Sequence, residues 1–269
     1  MNLEVNFIKG EKTPVVFIHG NSQNSTSGKA LLEFFKEKGH SVLSYDLPGH
    51  GNSLPYEGEV TMDRMVDSLK EIIKKYKLKK PILSGHSMGA MISLQYAVKN
   101  QDNLHSLILI EASNVDPRHI IESVPIIEAA DTIAEIVTMI PLKTLVDKII
   151  QDSETNFKKQ FKFNFSSKPM NEQEVLTEGL KYTEFNALKK NFMAFEHFDI
   201  RKEKITIPTL LLWAEQDILI PKEITDSLLK NLESSKLEVI HDLGHNWFLE
   251  KPELLVNALE KNYSFITGE

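Results

Sequence analysis

Short apolar runs rich in β-branched residues recur through the first part of the chain: LEVNFI (3 to 8), PVVFIHG (14 to 20), SVLSYD (41 to 46), PILSGHS (81 to 87) and LHSLILIEA (104 to 112). Turn-forming residues bound them, and the pattern predicts strands. Between most of them the apolar positions take helical spacing instead, in KALLEFFKEKG (29 to 39), MDRMVDSLKEIIKKYK (62 to 77) and AMISLQYAVKN (90 to 100). Strands alternating with helices predict a mainly parallel sheet with helices on both faces. The rhythm returns late, with TLLLWAEQD (209 to 217), a helix from about Lys222 to Asn231, KLEVIHD (236 to 242) and a last helix after Pro252. The expected fold class is α/β, a mainly parallel sheet flanked by helices.

From about Asn114 to Ile205 that rhythm stops. Only Gly179 of the chain's 12 glycines falls there, Ile133, Ile136, Val137 and Ile140 recur at helical spacing, and no strand pattern appears between Pro117 and Ile205. Residues 114–205 are expected to form a helical insertion, punctuated by Pro117, Pro125, Pro141 and Pro169, in a core made of 1–113 and 206–269. Eight of the 14 phenylalanines lie in it (157, 161, 163, 165, 185, 192, 195 and 198), more than an even distribution would give. They predict an apolar inner face; most of these rings would form the insertion's own core and one or two would face a cavity.

Composition narrows the chemistry. With 31 basic against 38 acidic residues the net charge is −7, which disfavours non-specific binding to nucleic acid or anionic lipid. No cysteine is present, so disulfides, thiolate nucleophiles and cysteine-ligated metal centres are excluded. No run approaches the ~20 apolar residues that span a bilayer, and the opening MNLEVNFIKGEKTPVVF lacks the pattern of a signal peptide. A cytoplasmic protein with no membrane span is expected.

The segment GHSMG (85 to 89) fits G-x-S-x-G at the end of one expected strand and the start of a helix. A nucleophile at such a turn takes a strained backbone conformation that lifts its oxygen above the sheet, and Gly85 and Gly89 leave room for the turn. The amide hydrogens at the helix start then point toward Ser87, where negative charge would develop during acyl transfer. By itself the pattern equally fits a serine that caps a helix. Gly20, in the HGN turn after PVVFI, would let a backbone N–H approach the same oxyanion, and DLPGHGNS would shape a neighbouring loop, with His50 and His86 structural.

A serine needs a base, and the base a carboxylate to hold it. His245 lies just beyond a late strand, before the last helix; its rival His241 belongs to the strand end. Asp217 follows a strand four residues before Pro221, at the loop-bearing edge of a parallel sheet, with Asp116 the alternative acid and Asp242 too near His245 in sequence to orient it.

HGN, DLPGHGNS, GHSMG, PTLLLWAEQD with Pro221 beyond it, and GHNWFLEKP occur in an order and spacing that resembles the α/β-hydrolase superfamily, and within it the capped serine hydrolases that include carboxylesterases, monoacylglycerol lipases and proline iminopeptidases. The resemblance covers nearly the whole chain. It implies Ser87 as nucleophile, His245 as base, Asp217 as orienting acid and the Asn21 and Met88 amides as oxyanion donors. It also implies that 114–205 is a cap over the nucleophile. Met88, beside Ser87, and Trp247, two residues after His245, are candidate pocket walls, and each could equally be simple packing. Three departures stand out. One strand rather than two precedes PVVFIHG, so the sheet would have about seven strands; Ala214 replaces a usual glycine; and a serine at the nucleophile position argues against the epoxide hydrolases and dehalogenases of the same fold. The expected activity is cleavage of small-molecule carboxylic esters of a small or medium apolar acyl group through an acyl-enzyme on Ser87, with neither cofactor nor metal. A monoglyceride lipase, thioesterase or aminopeptidase would use the same triad, the last needing acidic pocket residues such as Glu178, Glu184 or Glu196. A ligand-binding receptor of the same fold with little turnover is the alternative of another class.

Overall fold

The computed structural model of the protein describes residues 3–116, 165, 168–171, 174–175, 178–179, 187, 190–191 and 193–269. Seven strands, β1 (Val5–Ile8), β2 (Lys12–Ile18), β3 (His40–Tyr45), β4 (Ile82–His86), β5 (Ser106–Ile110), β6 (Thr209–Ala214) and β7 (Ser235–Ile240), form one sheet in the order β1-β3-β2-β4-β5-β6-β7. β1 pairs antiparallel with β3, Val5 opposite Tyr45, and every other neighbour is parallel. The strand count and the single strand before β2 agree with the sequence. β3 to β6 are buried along their whole length, as strands covered on both faces must be, while the edge strands β1 and β7 are only partly buried.

Alternation along the strands sorts the core into two layers. Val16, Leu43, Leu83, Leu107 and Leu211 face α2 (Met62–Lys75), α3 (Met88–Asn100) and α4 (Lys222–Leu229); Val15, Phe17, Ile82, Ile108 and Leu210 face α1 (Lys29–Glu37) and α6 (Pro252–Lys261). The short α5 (Trp247–Glu250) joins the second layer just before α6. In α2, Met62, Met65, Val66, Leu69 and Ile72 repeat at three and four residues and bury one face. Thr61 caps its start by accepting the Arg64 N–H at 3.3 Å, and Lys74 and Lys75 face the negative end of its dipole.

The two ends of the expected insertion meet each other. Asp116 N–H donates to the Phe198 carbonyl at 2.7 Å and Ile200 N–H to Asn114 at 3.0 Å, while Ile205 bridges Leu232. Phe165, Met170 and Val175 join the α1 layer and Phe195, Phe198 and Ile200 the α2–α3 layer, so these three phenylalanines pack in the core. Glu178 is half-buried and Glu196 exposed. Phe157, Phe161, Phe163, Phe185, Phe192, Glu184, the four isoleucine and valine positions of the helical pattern, and Pro117, Pro125 and Pro141 lie outside the described residues. Among the described residues, no helix is long and apolar enough to cross a membrane.

Candidate active site

The parallel register carries five loops to one edge of the sheet. Ile18 lies opposite Gly85, His86 opposite Ile110, and Ala214 opposite Ile240, so the residues that follow, Asn21, Ser87, Glu111, Asp217 and His245, all emerge at the carboxyl ends of adjacent strands. Sites of open parallel sheets form at that edge.

Ser87 sits at the β4–α3 turn with φ 50° and ψ −116°, a backbone conformation that a residue with a Cβ rarely takes. Its own N–H is anchored to the Ile110 carbonyl at 2.9 Å and its carbonyl accepts the Met91 N–H at 3.0 Å, so the strain is held from both sides. A Cβ on Gly85 would run into the backbone of Gly89 and Ala90, and one on Gly89 into the carbonyls of Ile18 and His19. Here both glycines are required by close approach, the reason the sequence suggested. Met88 opens α3, and its amide is among those that helix geometry leaves without an intrahelical acceptor.

Asp217 Oδ2 and His245 Nδ1 are 2.7 Å apart, with Asp217 fully buried at its carboxyl and His245 nearly so. The loop after β6 is wound around the acid. Oδ1 accepts the N–H groups of Leu219 (2.7 Å) and Ile220 (3.0 Å), and the Trp213 indole fixes that loop by donating to the Ile220 carbonyl at 2.7 Å. Burial works to raise the Asp217 pKa, but the His245 charge, the hydrogen bond to it and those from Glu111 and Ile220 outweigh it, holding the carboxyl down to about 2. Of the alternatives weighed from sequence, Asp116 is not the partner of His245, His241 is exposed and pairs with Glu215 at 3.0 Å, and Asp242 lies in an exposed turn at φ 61°.

His86 ties this pair to the elbow. Burial first, and then the neighbouring His245, push its pKa well below the ordinary histidine value, so the ring is neutral. Its Nε2 is 3.0 Å from the His245 carbonyl, which only an Nε2–H can satisfy. The two rings lie 4.8 Å apart at their centroids, one residue from Ser87.

The loop that carries Asn21 is equally constrained. His19 Nδ1 faces the Gly20 carbonyl at 2.7 Å and its Nε2 accepts the Leu47 N–H at 2.9 Å. His50 Nε2 lies 3.2 Å from the Asn21 side-chain oxygen; burial, then His19, lowers its pKa to about 3. Asp46 supports the DLPGHGNS loop by accepting from Ser25 and Asn52 N–H at 2.8 and 2.9 Å, and a Cβ on Gly51 (φ 52°) would collide with its carboxyl.

Trp247, one of the two candidate pocket walls, is 0% exposed, and its indole N–H donates to Glu111 Oε1 at 2.7 Å, behind Asp217. Glu111 itself was not singled out; the available signal was a charged residue closing the apolar run LHSLILI. It is fully buried at φ 49°, and Ala214 N–H also donates to its Oε1, at 2.8 Å. Glu111, Asp217 and His245 can each offer an atom within 4.8 Å of the others, enough to suggest a metal cluster. The facing Asp217 and His245 atoms are, however, spent on each other, and the remaining Asp217 oxygen on two amides, so the donor set is that of a hydrogen-bonded chain.

Comparison with known proteins agrees with this architecture. A model of the alpha/beta hydrolase fold family matches residues 13–252. AB hydrolase superfamily protein YisY of Bacillus subtilis is 27% identical over 95% of this chain and 92% of its own length. Protein ABHD8 of Bos taurus is 26% identical over 93% of this chain, which spans only 56% of that longer protein. The structure of an esterase from Exiguobacterium antarcticum superposes with a TM-score of 0.71 at 22% identity, covering 96% of this chain and 94% of that one.

Proposed function

The chain belongs to the alpha/beta hydrolase fold family, and from its site we propose that it is a serine hydrolase that cleaves carboxylic esters of a small or medium apolar acyl group. The observation that carries this reading is the 2.7 Å Asp217–His245 pair held against the strained turn that bears Ser87. Asp217 accepts the Nδ1 hydrogen of His245 and so sets the tautomer whose Nε2 takes the Ser87 proton. The Ser87 oxygen attacks the ester carbonyl carbon, and the Asn21 and Met88 amides receive the oxyanion. His245 then gives its proton to the departing alkoxide, leaving an acyl-enzyme. A water molecule, deprotonated by His245, attacks the acyl carbon, and the proton returns to the Ser87 oxygen as the acid leaves.

The apolar preference is supported by Ile218 and Leu219, 44% and 43% exposed on the loop that carries the acid, and by the phenylalanine content of the insertion, which we place over the site as a cap. The test is turnover of p-nitrophenyl esters of increasing chain length beside a thioester and an amino-acid arylamide. Highest kcat/KM on an oxygen ester of short or medium chain is expected. Preference for the arylamide, or no turnover of any ester, would contradict the reading.

A further inference from the structure

Behind Asp217 the hydrogen-bond ledger of Glu111 is lopsided. Oε1 receives two N–H groups, from Ala214 (2.8 Å) and Trp247 (2.7 Å), whereas the fully buried Oε2 receives no donor at all. What faces this carboxyl is the Asp217–His245 pair, within 4.8 Å. An acceptor-only oxygen without a donor, buried beside a second acceptor-only carboxylate, is an arrangement that folded proteins avoid. A single proton resolves it. Asp217, which collects two amides and the imidazole, is the better site for the negative charge, and Glu111 the better site for the proton. We infer that Glu111 stands protonated behind the triad and donates a hydrogen bond from Oε2 to the Asp217 carboxylate, acting as a positioning residue that fixes the acid and tempers its pull on His245.

The electrostatic directions agree. Burial, then the Asp217 charge, raise the Glu111 pKa well above the usual carboxylate value, while its hydrogen bond helps hold Asp217 down. Among the described residues, the titratable groups that face Glu111 are Asp217 from the loop after β6 and His245 from the loop after β7, with His86 at the end of β4 packed on His245. The chain thus runs Glu111, Asp217, His245, Ser87. Its last link rests on the function proposed above, but the first does not.

Two measurements test it. Infrared spectra of the wild-type protein at pH 8 should show the carbonyl stretch of a protonated carboxylic acid, shifted in heavy water and absent from Glu111→Gln. This band reports the proton whether or not Ser87 turns over an ester, so it stands apart from failure of the catalytic reading. Its absence from wild type overturns the inference even if no variant folds. The second measurement is the pH profile of kcat/KM. Gln keeps an N–H toward Asp217 and an oxygen toward Ala214 and Trp247, so Glu111→Gln should keep kcat within about threefold and leave the acid limb in place. Glu111→Ala, which removes the donor, should lower kcat on the order of tenfold and move the acid limb to higher pH, because Asp217 then attracts the imidazolium more strongly. If Glu111 were ionised instead, Glu111→Gln would delete a negative charge and move the limb down by about one unit; that result would also overturn the inference.

Discussion

Asp217 carries the most exposed claim about any single residue. If it holds the His245 tautomer, Asp217→Asn should cost roughly three to four orders of magnitude in kcat, the scale at which other triads respond, because the amide would present the wrong hydrogen-bonding group to Nδ1. Asp116→Asn should cost far less, since the structure gives the His245 contact to Asp217 alone of the two. The check is kcat for both variants on one short-chain ester, with folding followed by thermal melt. A near-inactive Asp116 variant beside an active Asp217 variant would move the acid to the earlier loop. Ser87, Asp217 and His245 could be singled out from sequence because each stands at a strand end in a turn with its own local signature. Glu111 had none that was specific. It meets Asp217, 106 positions away, through the β5–β6 register, in which Glu111 N–H donates to Leu212 at 3.0 Å. For Trp247, proximity to His245 in sequence left pocket wall and simple packing both open, and its indole turns inward to Glu111.

At the scale of elements, the turn that bears Ser87 depends on how closely β2, β4 and α3 approach. Gly85→Ala and Gly89→Ala each set a methyl against backbone that has no flexible side chain to yield. Each should destabilise the protein by about 1–3 kcal/mol and displace Ser87, so that kcat falls together with the melting temperature. Removing the α2 cap by Thr61→Ala is the control. It should cost about 1 kcal/mol while leaving kcat unchanged, because α2 carries no residue placed at the site. Thermal melts and ester kinetics on the same samples separate the two outcomes. The strands of the sheet were legible as apolar runs because strands buried on both faces leave little room for anything else. Their ends were less so. The segments PILSGHS and TLLLWAEQD run on into the turns after β4 and β6, and pairing stops at His86 and Ala214, before Ser87 and Asp217.

Across the whole molecule, pH separates activity from stability. Asp217, held at about 2 in the fold against ~3.9 when unfolded, contributes stability that is present above pH ~4 and lost as pH falls toward 2. Glu111 works in the opposite sense. Its raised pKa favours the fold at low pH, and that contribution declines as pH rises above the unfolded value of ~4.3. Glu111→Gln cannot ionise, so its melting temperature should improve relative to wild type as pH rises from 5 to 9; a constant or shrinking difference would contradict the assignment. Activity needs His245 unprotonated as the base, with Asp217 held ionised beside it. All of this hangs on Ser87 being the atom that attacks. The most direct test is mass spectrometry of the protein after treatment with a fluorophosphonate: the account predicts one adduct, on the peptide that contains Ser87, and a Ser87→Ala variant that folds, takes no label and turns over no ester. Label on another serine, or full turnover by Ser87→Ala, would contradict it.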